Sequence, residues 1–178
     1  MSNRTENQGF TLIELMITLA VAAVVLTLAV PSLGDLQQRN RQAAAANELV
    51  AHLNVARLHA VTYREITIAC PADSTLECGG HNRWHDGWIV FRDPDRDNRP
   101  NDPADLLRIG SGLEGLWSDS AGRTLIRYRP EGNAYGTNQT IKLCDPGGVT
   151  RPRAVIISNP GRPRVDDLPR HLACPGGP

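Results

Sequence analysis

Residues 9–31 read Gly9-Phe10-Thr11-Leu12-Ile13-Glu14-Leu15-Met16-Ile17-Thr18, then LAVAAVVLTLAV to Val30, then Pro31. Of the 21 residues from Phe10 to Val30, 17 are apolar. At the α-helical rise such a stretch reaches about 31 Å, enough to cross the hydrocarbon core of a bilayer. The preceding stretch, MSNRTENQG, is polar. No small-residue cleavage site follows the apolar run, which flows directly into a helix-like segment, so it does not read as an ordinary secretory signal. Glu14 is out of place in such a run. An ionised carboxylate there costs a few kcal/mol unless it is paired, so it points to a function.

The remaining composition bounds what the chain can be. It has 178 residues, 19 basic and 19 acidic side chains and no net charge. This excludes a multi-span membrane protein and a large enzyme, and argues against a strongly basic nucleic-acid-binding domain. The charge is unevenly placed, however. Residues 65–139 carry 8 basic and 12 acidic groups, whereas residues 140–178 carry 6 basic and 3 acidic groups. Of the basic residues, 18 are Arg and one, Lys142, is Lys. Flat guanidinium forks suit bidentate contact with phosphate.

From Ser32 to Arg64 the pattern is helical and amphipathic. Leu36, Ala46, Leu49, Val50, Leu53, Ala56, Ala60 and Val61 recur at three- and four-residue steps. His52 and His59 read as partly exposed helix residues. Beyond Arg64 the pattern becomes that of short strands: 65–70 (EITIAC), 87–92 (GWIVFR), 106–109, 124–129 (TLIRYR), 140–144 (TIKLC) and 154–158 (AVIIS). Gly132-Asn133 predicts a hairpin turn between the fourth and fifth of these. The expected fold is α+β, a long N-terminal helix packed on a small, mostly antiparallel β domain. Its expected segments are a short polar stretch over 1–9, which the resemblance below makes a prepilin leader peptide, a transmembrane helix over 10–31, an amphipathic helix over 32–64 and a β domain over 65–178.

Four cysteines allow three pairings. An anchor that leaves the β domain outside the cytoplasm, as the resemblance below implies, puts it where disulfides persist, and the expected bonds are then Cys70–Cys78 and Cys144–Cys174. The second would constrain residues 145–173. A zinc site from Cys78, His81 and His85 lacks the usual close cysteine pair. Asp93, Asp95 and Asp97 alternate as at the start of a calcium loop, but Gly at position six and Glu at position twelve are missing. Arg92, Arg96 and Arg99 partly neutralise them, so the expectation is a solvated loop, with no metal and no cofactor. No nucleophile–base pair, phosphate-binding Gly-rich loop or paired carboxylates in a cleft are recognisable, and an enzyme is not expected.

The sharpest clue lies near the C-terminus. Residues 151–164 contain Arg151, Arg153, Arg162 and Arg164 and no acid. Gly161-Arg162-Pro163-Arg164 follows a strand and Asn159-Pro160. Glycine lets the backbone turn sharply and come close to a ligand, and proline stiffens the loop between the two arginines. Two guanidiniums held this way can clamp successive phosphates. No aromatic residue is interleaved, so stacking on single strands is not supported.

The 9–14 stretch, GFTLIE, with its polar leader and apolar helix resembles the N-terminal motif of type IV pilins and pseudopilins. That resemblance implies cleavage by a prepilin peptidase between Gly9 and Phe10 and N-methylation of Phe10. It also implies pairing of Glu14 with the Phe10 amine of the same or a neighbouring subunit during assembly. It further implies an inner-membrane anchor with a periplasmic C-terminal domain, then a filament of pilins or pseudopilins. Pro31 also matches the family, and a proline there allows a kink.

The length, the GWIVF strand and the C-terminal cysteines resemble the FimT/GspH-type minor pilins. In FimT-like members of competent bacteria a C-terminal G-R-x-R motif binds DNA during uptake, which Gly161, Arg162 and Arg164 match. The resemblance thus implies a DNA-capturing minor pilin, with Lys142, Arg151 and Arg153 as auxiliary contacts on charge alone. Two alternatives share the fold: a GspH-type pseudopilin near the tip of a type II secretion filament, and a purely structural minor pilin that primes pilus assembly.

Overall fold

The computed structural model describes residues 11–169 and 171–174. A single helix, α1, runs from Leu12 to Tyr63, through Pro31 without interruption. The chain divides into two compact units, Met1–Gln37 and Gln38–Pro178, with the boundary inside α1.

In the first unit the large apolar side chains among the described residues are exposed. Leu12, Ile13, Met16, Ile17, Leu19 and Leu26 are 57–79% exposed. α1 is long and apolar enough to cross a membrane. Its hydroxyls turn inward on the backbone, as a hydrocarbon environment demands. Thr18 donates to the Leu15 carbonyl at 2.9 Å, Thr27 to Val24 at 2.7 Å and Ser32 to Ala29 at 3.0 Å.

In the second unit the rest of α1 lies on two antiparallel sheets. The first has the order β3 (Leu106–Ser111), β2 (Gly87–Arg92), β1 (Thr67–Pro71), β4 (Ile126–Tyr128). The second has the order β5 (Gln139–Leu143), β6 (Arg153–Ile157), β7 (Pro163–Asp167). Ala45, Ala46, Leu49, Leu53, Ala56 and Ala60 form the buried stripe of the helix. The alanines let the helix approach closely. The stripe joins one core with Trp84, Trp88, Val90, Ile126 and Tyr128 and with Ile141, Leu143, Val155 and Ile157. Leu36 and Val61, expected on this stripe, are exposed.

β1 is buried throughout and β2 up to Phe91, because the first sheet is covered on both faces. That explains why GWIVF reads as a continuous apolar run. The second face carries Ile68, Cys70, Ile89 and Phe91. The Cys70–Cys78 disulfide fastens the following loop over it. β5 alternates buried and half-buried residues, as a one-sided strand should.

Polar groups tie α1 to the sheets. Gln42, 4% exposed, donates to the carbonyls of Leu143 at 3.1 Å and Arg151 at 3.0 Å. The Trp88 indole donates to His52 Nδ1 at 3.1 Å, and burial holds the His52 pKa below its ordinary value. His59 faces Thr67 and Glu65. Both histidines are half-buried helix-to-sheet contacts.

Two sequence expectations change. A tight turn does form at Gly132, whose amide donates to the Arg129 carbonyl at 2.7 Å. It does not join a hairpin, because β4 pairs with β1 and β5 with β6. Residues 163–167, expected as part of a loop, form the edge strand β7.

Candidate functional site

At the start of α1, Thr11 and Glu14 cap the helix. The Thr11 amide and hydroxyl both donate to Glu14 Oε2 at 3.0 Å, and the Glu14 amide donates to Thr11 Oγ1 at 3.3 Å. This is the T-x-x-E capping box, a signal present in the sequence that the transmembrane pattern obscured. Gly9 and Phe10 lie outside the described residues.

The arginine pair sits on the β6–β7 hairpin. Ser158, Asn159, Pro160 and Gly161 make the turn, closed by the Gly161 amide donating to the Ser158 carbonyl at 2.8 Å. Gly161 has φ +80°, and a Cβ there would lie 2.2 Å from the Gly132 carbonyl oxygen. The Ala134 amide donates to the Asn159 carbonyl at 2.9 Å. Arg57 of α1 donates to the same Gly132 carbonyl at 2.9 Å. The hairpin tip is therefore seated on the 132–134 turn, which the helix holds in place.

Pro163 opens β7 and is buried, as an edge strand tolerates at its first residue. Arg162 and Arg164 flank it and are exposed. By strand alternation they share the outer face. Arg164 Nε lies 3.6 Å from Asp166 Oδ2, with both side chains about half exposed. Arg162 has no ion pair among the described residues. Asp166 and Asp167 of β7 follow directly on the acid-free stretch 151–164 and temper its charge.

The other expected cations do not gather there. Arg153 is half-buried at the far end of β6, opposite Asp167. Arg151 is exposed before β6, and its carbonyl accepts from Gln42. Lys142 shares the outer face but is engaged: its Nζ lies 2.9 Å from Asp119, donates to the Ala173 carbonyl at 3.0 Å and sits 5.4 Å from the Trp117 ring centre. Its role here is to hold the C-terminal tail, beside the Cys144–Cys174 disulfide. Cys78 is committed to its bond with Cys70.

Comparison with known proteins places this geometry. The family model described as type II transport protein GspH matches residues 45–161. The model of the prokaryotic N-terminal methylation motif matches residues 4–30. The GspH match ends at Gly161, so Arg162 and Arg164 lie just beyond it. Two crystal structures of the type IV minor pilin FimU of Pseudomonas aeruginosa strain PAO1 share the fold at 22% identity. The form in space group P21 covers 78% of this chain and 96% of that one, with a TM-score of 0.56. The form in P65 covers 74% and 95%, with a TM-score of 0.52. No curated protein matches the chain. The GspH match spans well over half of the sequence and the fold is that of a type IV pilin: the chain belongs to the GspH family of the type IV pilin-like superfamily.

Proposed function

We propose that this chain is a minor type IV pilin that binds extracellular DNA non-specifically for uptake in natural transformation. The observation supporting this reading is the pair Arg162, just before the edge strand β7, and Arg164 within it, both exposed on either side of the buried Pro163. Two positions apart on a strand is about 6.6 Å, so each guanidinium can take its own phosphate. The contacts are to the backbone of DNA and carry no sequence information. Asp166 beside Arg164 keeps binding per subunit weak. In this reading Lys142, held by Asp119 and the tail, and Arg153, half-buried opposite Asp167, make no auxiliary contact, whereas exposed Arg151 can.

Assembly follows the N-terminal motif. In this reading prepilin peptidase cuts after Gly9, Phe10 is N-methylated, and the 10–31 helix anchors the protein in the inner membrane with its β domain in the periplasm. Glu14 then pairs with a Phe10 amine as the subunit joins a filament of pilins. A second reading, a GspH-type pseudopilin of type II secretion, is favoured by the family description and by the arginines falling outside the matched segment.

The two readings separate on one measurement. Residues 38–178, a compact unit with its own core, are titrated with duplex DNA at low salt. Arg162→Gln with Arg164→Gln should abolish binding and leave the melting temperature unchanged. Equal binding by the double variant would remove the arginine clamp, and no binding by the unaltered unit would return the protein to the pseudopilin or purely structural reading.

A further inference from the structure

The loop after β2 holds three carboxylates whose oxygens lie within 4.8 Å of one another: Asp93, Asp95 and Asp97. Asp95 and Asp97 are exposed, as a solvated loop would have them. Asp93 is not: its side chain is fully buried. Its Oδ1 accepts the Asn98 amide at 3.2 Å, and its Oδ2 is buried with no hydrogen-bond partner. A buried, unpartnered carboxylate oxygen is costly, and native structures avoid it unless something else satisfies it.

The nearby arginines do not supply that partner. Among the described residues none of the three carboxylates is in an ion pair. Arg92 is taken by Asp105 at 2.8 Å, and Arg127 donates to the Asn98 side chain. The Arg99 amide donates to Asp97 Oδ1 at 2.9 Å. Asn101 Nδ2 bridges Asp95 Oδ2 at 2.7 Å and Asp97 Oδ2 at 3.2 Å, so one donor holds the two exposed carboxylates together.

We propose that Asp93, Asp95 and Asp97 bind one calcium ion. The donors are hard oxygens at positions one, three and five of a loop, the pattern that calcium uses. The missing glycine at position six is replaced by Asn98, which adopts φ +66° and makes the same left-handed turn. Asn101 falls at position nine, where calcium loops often ligate, and turning its amide over presents its carbonyl oxygen to the ion. The bidentate glutamate of position twelve is absent, since residue 104 is Ala, so waters complete the shell. Calcium accepts such an irregular shell, whereas magnesium demands a near-octahedral one. Affinity belongs with that of extracellular modules, a Kd of about 10⁻⁴–10⁻³ M. This site is independent of the arginine pair.

The test uses the full chain in detergent, stripped with a chelator and titrated with calcium chloride by calorimetry, with a thermal melt alongside. One calcium per chain should bind saturably and raise the melting temperature, with magnesium chloride and sodium chloride of equal ionic strength giving far less. Asp95→Asn with Asp97→Asn, both on exposed residues, should weaken binding at least about tenfold, the loss that even an outer-shell partner brings. It should also abolish the calcium-induced shift. Absence of saturable binding up to about 10 mM, ten times the weakest expected Kd, would overturn the proposal. An equal response to magnesium, or a double variant that binds like wild type, would overturn it as well.

Discussion

Gly161 is the residue on which the arginine hairpin depends. Its φ of +80° alone would cost a side chain about 1–2 kcal/mol, and the Gly132 carbonyl leaves no room for a Cβ. Gly148 offers the matching control, with φ +67° and nothing within 4 Å of the added carbon. Urea unfolding of residues 38–178 should show Gly148→Ala losing about 1–2 kcal/mol from the backbone alone. Gly161→Ala should lose clearly more, because backbone must shift to admit the methyl. Equal losses would mean that the contact with Gly132 does not hold the hairpin. In the sequence the glycine reads as a place where the backbone turns and comes close to a ligand, whereas its neighbour is the Gly132 carbonyl. That neighbour was not legible, because the 132–134 turn reaches it only through tertiary folding. Glu14 is similar: its anomaly stood out, but its cap by Thr11 was hidden inside a pattern read for hydropathy.

The elements that were easy to read are those whose residues face one uniform environment. GWIVF and AVIIS lie in strands because apolar side chains dominate them, and the Ala-Leu stripe of α1 marks its buried face. β7 escaped because Pro-Arg-Val-Asp-Asp has one apolar residue to bury beyond its proline, and its outer face belongs to solvent. The turn at Gly132 was legible, but its partner strands were not, since local chemistry makes a turn while sheet membership is decided by which core each strand joins. The Cys144–Cys174 bond acts on this scale. It closes a 30-residue separation and lies beyond β7, joining the tail to the end of β5. Restricting the unfolded chain over that span is worth about 3–4 kcal/mol. Cys144→Ser with Cys174→Ser should therefore lower the melting temperature of residues 38–178 by about 10 °C. The pairing of β6 with β7 does not pass through the tail, so DNA binding well below the new melting point should survive. Its loss in the folded double variant would show that the tail itself shapes the binding surface.

At the scale of the whole molecule, neutrality and the proposed DNA binding have to be reconciled. The 19 basic and 19 acidic groups cancel only in the sum. Folding rearranges them further, pairing Lys142 with Asp119 and Arg92 with Asp105, and setting Asp166 near Arg164. In the proposed reading the polyanion meets the pair Arg162 and Arg164, so the salt dependence of binding is set by two phosphates rather than by a broad basic face. Each neutralised phosphate contributes a slope of about −0.9 to log K against log salt, so two give about −1.8. Raising salt from about 50 to 200 mM should then weaken binding about tenfold, against the thousandfold or more lost by proteins with six to ten phosphate contacts. A fluorescence titration of isolated residues 38–178 at four salt concentrations measures this slope directly. A slope steeper than about −3 would require cations beyond the pair, with Arg151 the first to remove. If subunits repeat along a filament, the per-subunit slope persists while apparent affinity rises through multivalency, because several weak clusters then engage one duplex. Weak, shallow binding by the isolated unit and strong, steep binding by the assembled filament would together mean that the clamp works by repetition.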